Sequence, residues 1–198
     1  MFTGIITATG IVQSLEGSKE GSRLCIATTE LPLTDVTVGD SIAVNGCCLT
    51  VVEHDNNSFT TDISAATLSC TTFSKLKQGT RVNLEKAMGA DGRFDGHLVG
   101  GHVDGTGELI NQQPDGKSRR LQFRMPQSIV HHVAVKGSIC IDGVSLVVNE
   151  VTADSFTVNI IPHTQQATII GDYKPGQQVN LEADLIARYV ARLLQQEK

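Results

Sequence analysis

The apolar positions of this chain fall in short runs broken by turn residues, not in long helical stripes. Ser41-Ile42-Ala43-Val44, then Asn45-Gly46, then Cys47-Cys48-Leu49-Thr50-Val51-Val52-Glu53 reads as strand, two-residue turn and strand. Asn-Gly is a strong hairpin signal, because both central residues of a type I′ turn need positive φ. Further turns at Asp55-Asn56-Asn57 and Lys77-Gln78-Gly79 precede the runs Ser58-Phe59-Thr60 and Val82-Asn83-Leu84-Glu85. Short strands spaced at roughly 8–12 residues predict a small barrel or sandwich. One segment breaks the pattern. After Asp184, a residue able to cap a helix, Leu185, Ile186, Tyr189, Val190, Leu193 and Leu194 recur at helical spacing, which predicts one amphipathic helix. Its apolar stripe needs a surface to lie against, either its own barrel or copies of itself in an oligomer.

The strand pattern occurs twice. Residues 1–87 laid without gaps on residues 98–184 agree at 25 positions, an offset of 97. Asn45-Gly46 returns as Asp142-Gly143, Ser58-Phe59-Thr60 as Ser155-Phe156-Thr157, and Val82-Asn83-Leu84-Glu85 as Val179-Asn180-Leu181-Glu182. A gapless duplication implies one fold built twice, and the unit is too long for a solenoid repeat yet long enough for a small domain. The sequence thus predicts an all-β chain of two tandem units, 1–90 and 97–184, divided at the Gly-rich stretch Met88-Gly89-Ala90-Asp91-Gly92, with the helix over 185–198.

Composition narrows the class. With 40% hydrophobic and 19% charged residues the chain can build a core and is not disordered. Sixteen Lys and Arg against 21 Asp and Glu give a net charge of −5, which offers no footprint for nucleic acid. No apolar run approaches the ~18 residues of a membrane span. The opening Met1-Phe2-Thr3-Gly4-Ile5-Ile6 lacks the basic and apolar regions of a secretory signal. The expectation is a cytoplasmic protein whose five cysteines are reduced.

Cofactor motifs fail on inspection. Gly116-Lys117-Ser118 lacks the earlier glycine of a phosphate loop, where Asn111 stands, and Gly105-Thr106-Gly107 is followed by Ile110 where a dinucleotide loop needs glycine. His97, His102 and the pair His131-His132 have no partners at metal-ligand spacing. No cofactor and no metal are therefore expected. His102 differs from the others, because the glycines of Gly100-Gly101-His102-Val103-Asp104-Gly105 let the backbone approach a ligand while the imidazole moves protons near neutral pH. Cys48 follows the Asn-Gly turn and its repeat mate Ser145 follows the Asp-Gly turn. These are either small strand residues or a thiol and a hydroxyl presented in two related pockets. A duplicated binding module with unlike linings suits a reaction between two copies of one substrate.

The boxes Met1-Phe2-Thr3-Gly4-Ile5, Asn45-Gly46-Cys47-Cys48-Leu49-Thr50-Val51, Gly96-His97-Leu98-Val99-Gly100-Gly101-His102-Val103-Asp104-Gly105, Ile141-Asp142-Gly143-Val144-Ser145-Leu146 and Val179-Asn180-Leu181-Glu182-Ala183-Asp184 resemble the riboflavin synthase family. The resemblance spans essentially the whole chain. It implies two six-stranded Greek-key β-barrels and a C-terminal helix that packs with those of two partners in a homotrimer. It also implies an active site between the N-terminal barrel of one subunit and the C-terminal barrel of its neighbour. The implied reaction is dismutation of two molecules of 6,7-dimethyl-8-ribityllumazine, by transfer of a four-carbon unit, to riboflavin and 5-amino-6-(ribitylamino)uracil. No cofactor is needed, and a lumazine synthase shell is a partner of some members.

Carried over by position, the N-terminal pocket uses Gly4, Ile5 and Ile6, then Cys48, Leu49 and Thr50, then Asp62, Ile63, Ser64, Ala65, Ala66 and Thr67. The C-terminal pocket uses Gly101, His102 and Val103, Lys136, then Ser145, Leu146 and Val147, then Asn159, Ile160, Ile161, Pro162, His163 and Thr164. The reaction needs a base for a methyl proton and a nucleophile, or an activated water, at a ring carbon. The expected roles are His102 for proton transfer, Cys48 and Ser145 near the reacting carbons, Asp184 orienting Ser145 or a water, and Phe2 stacking on a heteroaromatic ring. Val147 departs from the resembled family, which usually has Thr there, and removes a hydrogen bond from that pocket. The alternative is a non-catalytic lumazine or flavin carrier of the antenna type, in which one set of pocket boxes would have eroded.

Overall fold

Asn45 and Gly46 have φ of 43° and 75°, and Asp142 and Gly143 have 43° and 86°. Both turns therefore take the left-handed geometry that a tight hairpin demands. Each joins two short strands, β3 (Ser41–Val44) to β4 (Cys47–His54) and β9 (Ser138–Ile141) to β10 (Val144–Val151). A computed structural model describes residues 1–18 and 20–194 of the chain. The remaining strands are β1 (Ala8–Ser18), β2 (Gly21–Ala27), β5 (Ser58–Ser64) and β6 (Arg81–Lys86) in the first half. In the second they are β7 (Gly105–Asp115), β8 (Ser118–Arg124), β11 (Ser155–Ile160) and β12 (Gln178–Ala183).

The strands close into two antiparallel barrels with one topology, β1-β2-β5-β4-β3-β6 and β7-β8-β11-β10-β9-β12. The two-barrel expectation holds. Even the irregularities repeat. The ladder slips at Val12/Ser14 and Val51/Glu53 in the first barrel and at Leu109/Asn111 and Val148/Glu150 in the second, each at the same offset. Bulges sharpen strand curvature, which a six-stranded barrel needs in order to close.

Each barrel is filled by alternate side chains of its strands. Leu24, Ile26, Val51, Phe59 and Leu84 fill the first, and Leu121, Phe123, Val148, Phe156 and Leu181 the second. Phe123 stacks on Phe156 at 5.7 Å between centroids, an arrangement that contributes ~0.5–1.5 kcal/mol beyond burial. Short helices α1 (Ala65–Cys70) and α2 (Pro162–Ala167) follow β5 and β11. They were not predicted, because six residues carry too little periodicity to register. Helix α3 (Leu185–Leu194) was predicted; residues 195–198 of its expected span lie outside the described residues. No described helix is long and apolar enough to cross a membrane.

The halves are joined by their opening segments. Phe2 and Val99 are repeat mates, and they bond each other in both directions, Phe2 N–H to Val99 O at 2.8 Å and Val99 N–H to Phe2 O at 3.1 Å. From this crossing the two arms exchange. The Gly4 carbonyl accepts the Ser145 amide of β10, and the Gly101 carbonyl accepts the Cys48 amide of β4, both at 2.8 Å. Ile6 accordingly packs on the core of the second barrel, and Val103 on that of the first.

Candidate active site

Strand alternation decides what the two faces present. On β4, Cys47, Leu49 and Val51 point inward and Cys48 and Thr50 outward; on β10, Val144, Leu146 and Val148 point inward and Ser145 and Val147 outward. Val51 of β4 pairs with Thr61 of β5, so Cys48 and Thr50 lie beside the segment Asp62–Thr67. The Ser64 hydroxyl there accepts the Thr67 amide and caps α1. The second barrel sets Ser145 and Val147 beside Asn159–Thr164 in the same way, with Pro162 opening α2.

The arm exchange corrects the expected grouping. Gly4, Ile5 and Ile6 stand on the face of Ser145, not of Cys48, and Gly101, His102 and Val103 stand on the face of Cys48. Both glycines are needed for this approach. A Cβ on Gly4 would lie 2.6 Å from Cβ of Ser145, and one on Gly101 would lie 2.5 Å from Cβ of Cys48.

Two buried carboxylates hold the arms in place. Glu85 accepts the Thr3 amide at 2.7 Å, the Thr3 hydroxyl at 2.8 Å and the Gly4 amide at 3.1 Å. Its mate Glu182 accepts the amides of Gly100, Gly101 and His102 at 2.7, 3.0 and 3.0 Å. Burial pushes both carboxyls above the usual range, and the amide donors oppose this. The repeated Val-Asn-Leu-Glu box was visible in the sequence, but its role as a clamp on the opening glycines was not.

The face of Ser145 carries His97, which the sequence marks only as a histidine without metal-ligand partners. His97 Nδ1 lies 2.6 Å from Ser145 Oγ. Burial depresses the His97 imidazole below its ordinary value, opposed by the negative charge of Asp184. Burial thus favours the neutral imidazole, the form able to take a proton. Asp184 itself bonds the Ile186 amide at 2.8 Å and caps α3. Its negative charge favours the protonated His97 imidazole. Of the two expected tasks, orienting Ser145 or a water, the first falls to His97, whose Nδ1 bonds the serine hydroxyl.

Five expected site side chains point elsewhere. Leu49, Ile63, Leu146 and Ile160 are inward residues of the barrel cores. Phe2 is fully buried with Ala43, Val99 and Cys140, and Cys48 packs against this cluster. Its ring joins the barrels and has no open face on which a ligand could stack. Cys48, Thr50, His102, Lys136, Val147, Ile161 and His163 remain half-exposed or exposed. Lys136 holds a φ of 66°, in the left-handed region that β-carbon sterics disfavour. Burial pushes the Cys47 thiol up to about 12, leaving Cys48 as the accessible thiol of the pair. Of two cavities, one reaches the Asp62–Thr67 segment through Ala65 and the other lies between the barrels. A groove of about 570 Å³ is lined by Leu15, Ser22 and Leu68, and a crevice of about 280 Å³ between the barrels by Asn45, Leu76, Arg81 and Asp142.

Comparison with known proteins agrees with this architecture. The family model described as lumazine binding domain matches residues 3–87 and again 100–184. A protein of Photobacterium phosphoreum named riboflavin synthase is 46% identical over 198 residues, all of this chain and 91% of its own length. The riboflavin synthase of Bacillus subtilis is 43% identical over 194 residues, 98% of this chain and 90% of that protein. Among solved structures, LumP complexed with riboflavin superposes with a TM-score of 0.83 at 28% identity, covering 92% of this chain and 99% of that one. LumP complexed with 6,7-dimethyl-8-(1'-D-ribityl) lumazine gives 0.82 at 26% identity over the same shares.

Proposed function

We propose, from the premise that this chain is an enzyme belonging to the riboflavin synthase family, that it dismutates two molecules of 6,7-dimethyl-8-ribityllumazine. One molecule gives up a four-carbon unit and leaves as 5-amino-6-(ribitylamino)uracil; the other accepts the unit and becomes riboflavin. The observation that carries this reading is the pair of equivalent faces with unlike reactive groups, Cys48 with His102 on one and Ser145 with His97 on the other. Two identical substrates require two related sites, and opposite roles require the sites to differ. Each half, 1–90 and 97–184, is on this reading one lumazine-binding unit.

In the mechanism, neutral His97 removes a methyl proton of the bound lumazine directly or through Ser145 Oγ, forming the carbanion that attacks the second molecule. His102 serves proton transfer on the other face; the Cys48 thiol or a water beside it adds to the C=N carbon of the ring there, the π electrons passing to nitrogen, and is expelled again as the four-carbon unit moves across. Neither face is closed within one chain. Helix α3 packs on residues 127–132 and leaves Ile186, Tyr189, Val190, Leu193 and Leu194 exposed. These observations support a homotrimer in which α3 packs with its copies and the face of Cys48 meets the face of Ser145 of a neighbour. We place the enzyme in the cytoplasm.

The LumP complexes support a second reading, a binder that does no chemistry. One experiment separates the two. The purified chain is mixed with 6,7-dimethyl-8-ribityllumazine without any cofactor, and flavin absorbance is followed. One riboflavin for each two lumazines consumed establishes the dismutation; tight binding without turnover establishes the carrier.

A further inference from the structure

The two hairpin turns at the centre of the molecule are anchored unequally. In each half an asparagine of the last strand reaches across: Asn83 Nδ2 donates to Asp142 O, and Asn180 Nδ2 to Asn45 O, both at 2.8 Å. The same asparagines accept at Oδ1 from the Ile169 and Thr72 amides at 2.9 and 2.8 Å. The turn residue of each half also accepts from its own last strand, Asn45 Oδ1 from the Asn83 amide at 2.7 Å and Asp142 Oδ1 from the Asn180 amide at 2.8 Å. Here the symmetry ends. Asp142 Oδ2 receives the hydroxyl of Tyr173, whose repeat mate is Leu76. The second turn thus carries a buried carboxyl and a phenol where the first has a neutral amide and an aliphatic side chain.

The half with the extra pair is the half in which a nucleophile position is bonded to an imidazole. Asp142-Gly143 is the turn that launches β10, and Ser145 is the second residue of that strand. Ser145 lies two residues from the turn, so a tilt of the turn pulls against the Ser145 amide bond to Gly4 O at 2.8 Å, while the His97 amide is held by Thr3 O at 3.0 Å. A general base loses its advantage when the proton path lengthens beyond hydrogen-bond reach.

We infer that Tyr173 is a positioning residue: its hydroxyl holds the Asp142 carboxyl, and with it the β9–β10 turn, so that Ser145 stays bonded to His97. This rests on the catalytic reading above. Among the described residues, Cys140 is the other titratable side chain facing the pair, and Asp184 the one facing His97. Without the phenol, Asp142 Oδ2 is a buried polar atom with no donor, and the turn shifts to hydrate it. Asparagine at position 142 needs no such donor, as Asn45 beside Leu76 demonstrates within the same chain.

The test uses the full chain with Tyr173→Phe, Asp142→Asn and both together, at a temperature at which melting curves show every variant folded. Tyr173→Phe is expected to lower kcat at least fivefold with KM changed less than twofold. The double variant is expected to return kcat to within twofold of the original, and Asp142→Asn alone to keep it there. In parallel, the His97 ring is titrated by NMR without substrate, and its midpoint moves in Tyr173→Phe and returns in the double variant. A Tyr173→Phe protein with unchanged kcat and unchanged His97 titration overturns the inference, as does a double variant no better than the single one. If the unsubstituted chain makes no riboflavin, the catalytic reading fails, and the His97 titration still decides the positioning role. If Tyr173→Phe does not fold, the same titration in Asp142→Asn decides: an unmoved His97 supports the inference, and a moved one overturns it.

Discussion

Gly46 and Gly143 sit 97 positions apart in sequence and press back to back in the fold, so closely that a Cβ on Gly46 would lie 2.6 Å from the Gly143 nitrogen. Both also hold positive φ, 75° and 86°. Gly46→Ala therefore meets a backbone clash and left-handed strain together, about 3 kcal/mol by the usual costs of each. Gly39 has a φ of 102° with nothing near its missing Cβ, so Gly39→Ala pays the strain alone, ~1–2 kcal/mol. Urea melts of the two variants check the difference.

Stability should fall as pH rises toward neutrality. Burial raises the Asp142 carboxyl to about 7, against roughly 3.9 in the unfolded chain. Between those values the folded protein keeps a proton that the unfolded chain has released. The contribution is full below about pH 4 and is lost as pH climbs through about 7. Glu85 and Glu182 are shifted in the same sense. Asp142→Asn should flatten this slope in denaturation curves taken from pH 4 to 8.

Turnover should be insensitive to acid down to a point below the ordinary histidine value of 6.5, because His97 is depressed by burial. The acid limb of kcat/KM then falls below pH 6.5 and disappears in His97→Gln, whose kcat drops roughly 10²-fold or more. Ser145→Ala should lose turnover as well. An acid limb centred above 6.5 would exclude His97 as the base.

Val147 stands 56% exposed on the face of Ser145, where the first barrel has Thr50. Val147→Thr restores a hydroxyl without changing shape. Tighter lumazine binding by ~0.5–1.5 kcal/mol is the expected gain, readable by fluorescence titration.

The exposed stripe of α3 should hold the assembly together. Leu193 is 65% exposed and Ile186 is 62% exposed. Replacing both with Ser removes apolar area that a helix partner would cover. Sedimentation should show smaller species and activity should fall with them, while the barrels melt as before.

What the sequence disclosed was the part of the fold that is written locally. Asn45-Gly46 and Asp142-Gly143 declare their turns through the φ values that only such pairs accept readily, and the gapless offset declares that the barrel is built twice. The arm exchange is different in kind. An overlay of two repeats looks identical whether Gly4 rests on its own barrel or on the other, so it groups Gly4 with Cys48 although Gly4 bonds Ser145. Phe2 reads in sequence as a ligand contact, because nothing local distinguishes a buried aromatic from a stacking one. His97 reads in sequence only as a failed metal ligand, because it lies one residue before the overlay begins and has no repeat mate to mark it.

The crossing of Phe2 over Val99 has a consequence for the exposed stretch 89–96 that links the halves. A peptide bond cut at Asp91-Gly92 would leave residues 2–6 clasped to the second barrel and residues 97–103 clasped to the first. The nicked molecule would migrate as two fragments in denaturant yet remain one particle in native buffer. The covalent link between the barrels is therefore backed by a second, non-covalent one, because each half already wears the opening of the other.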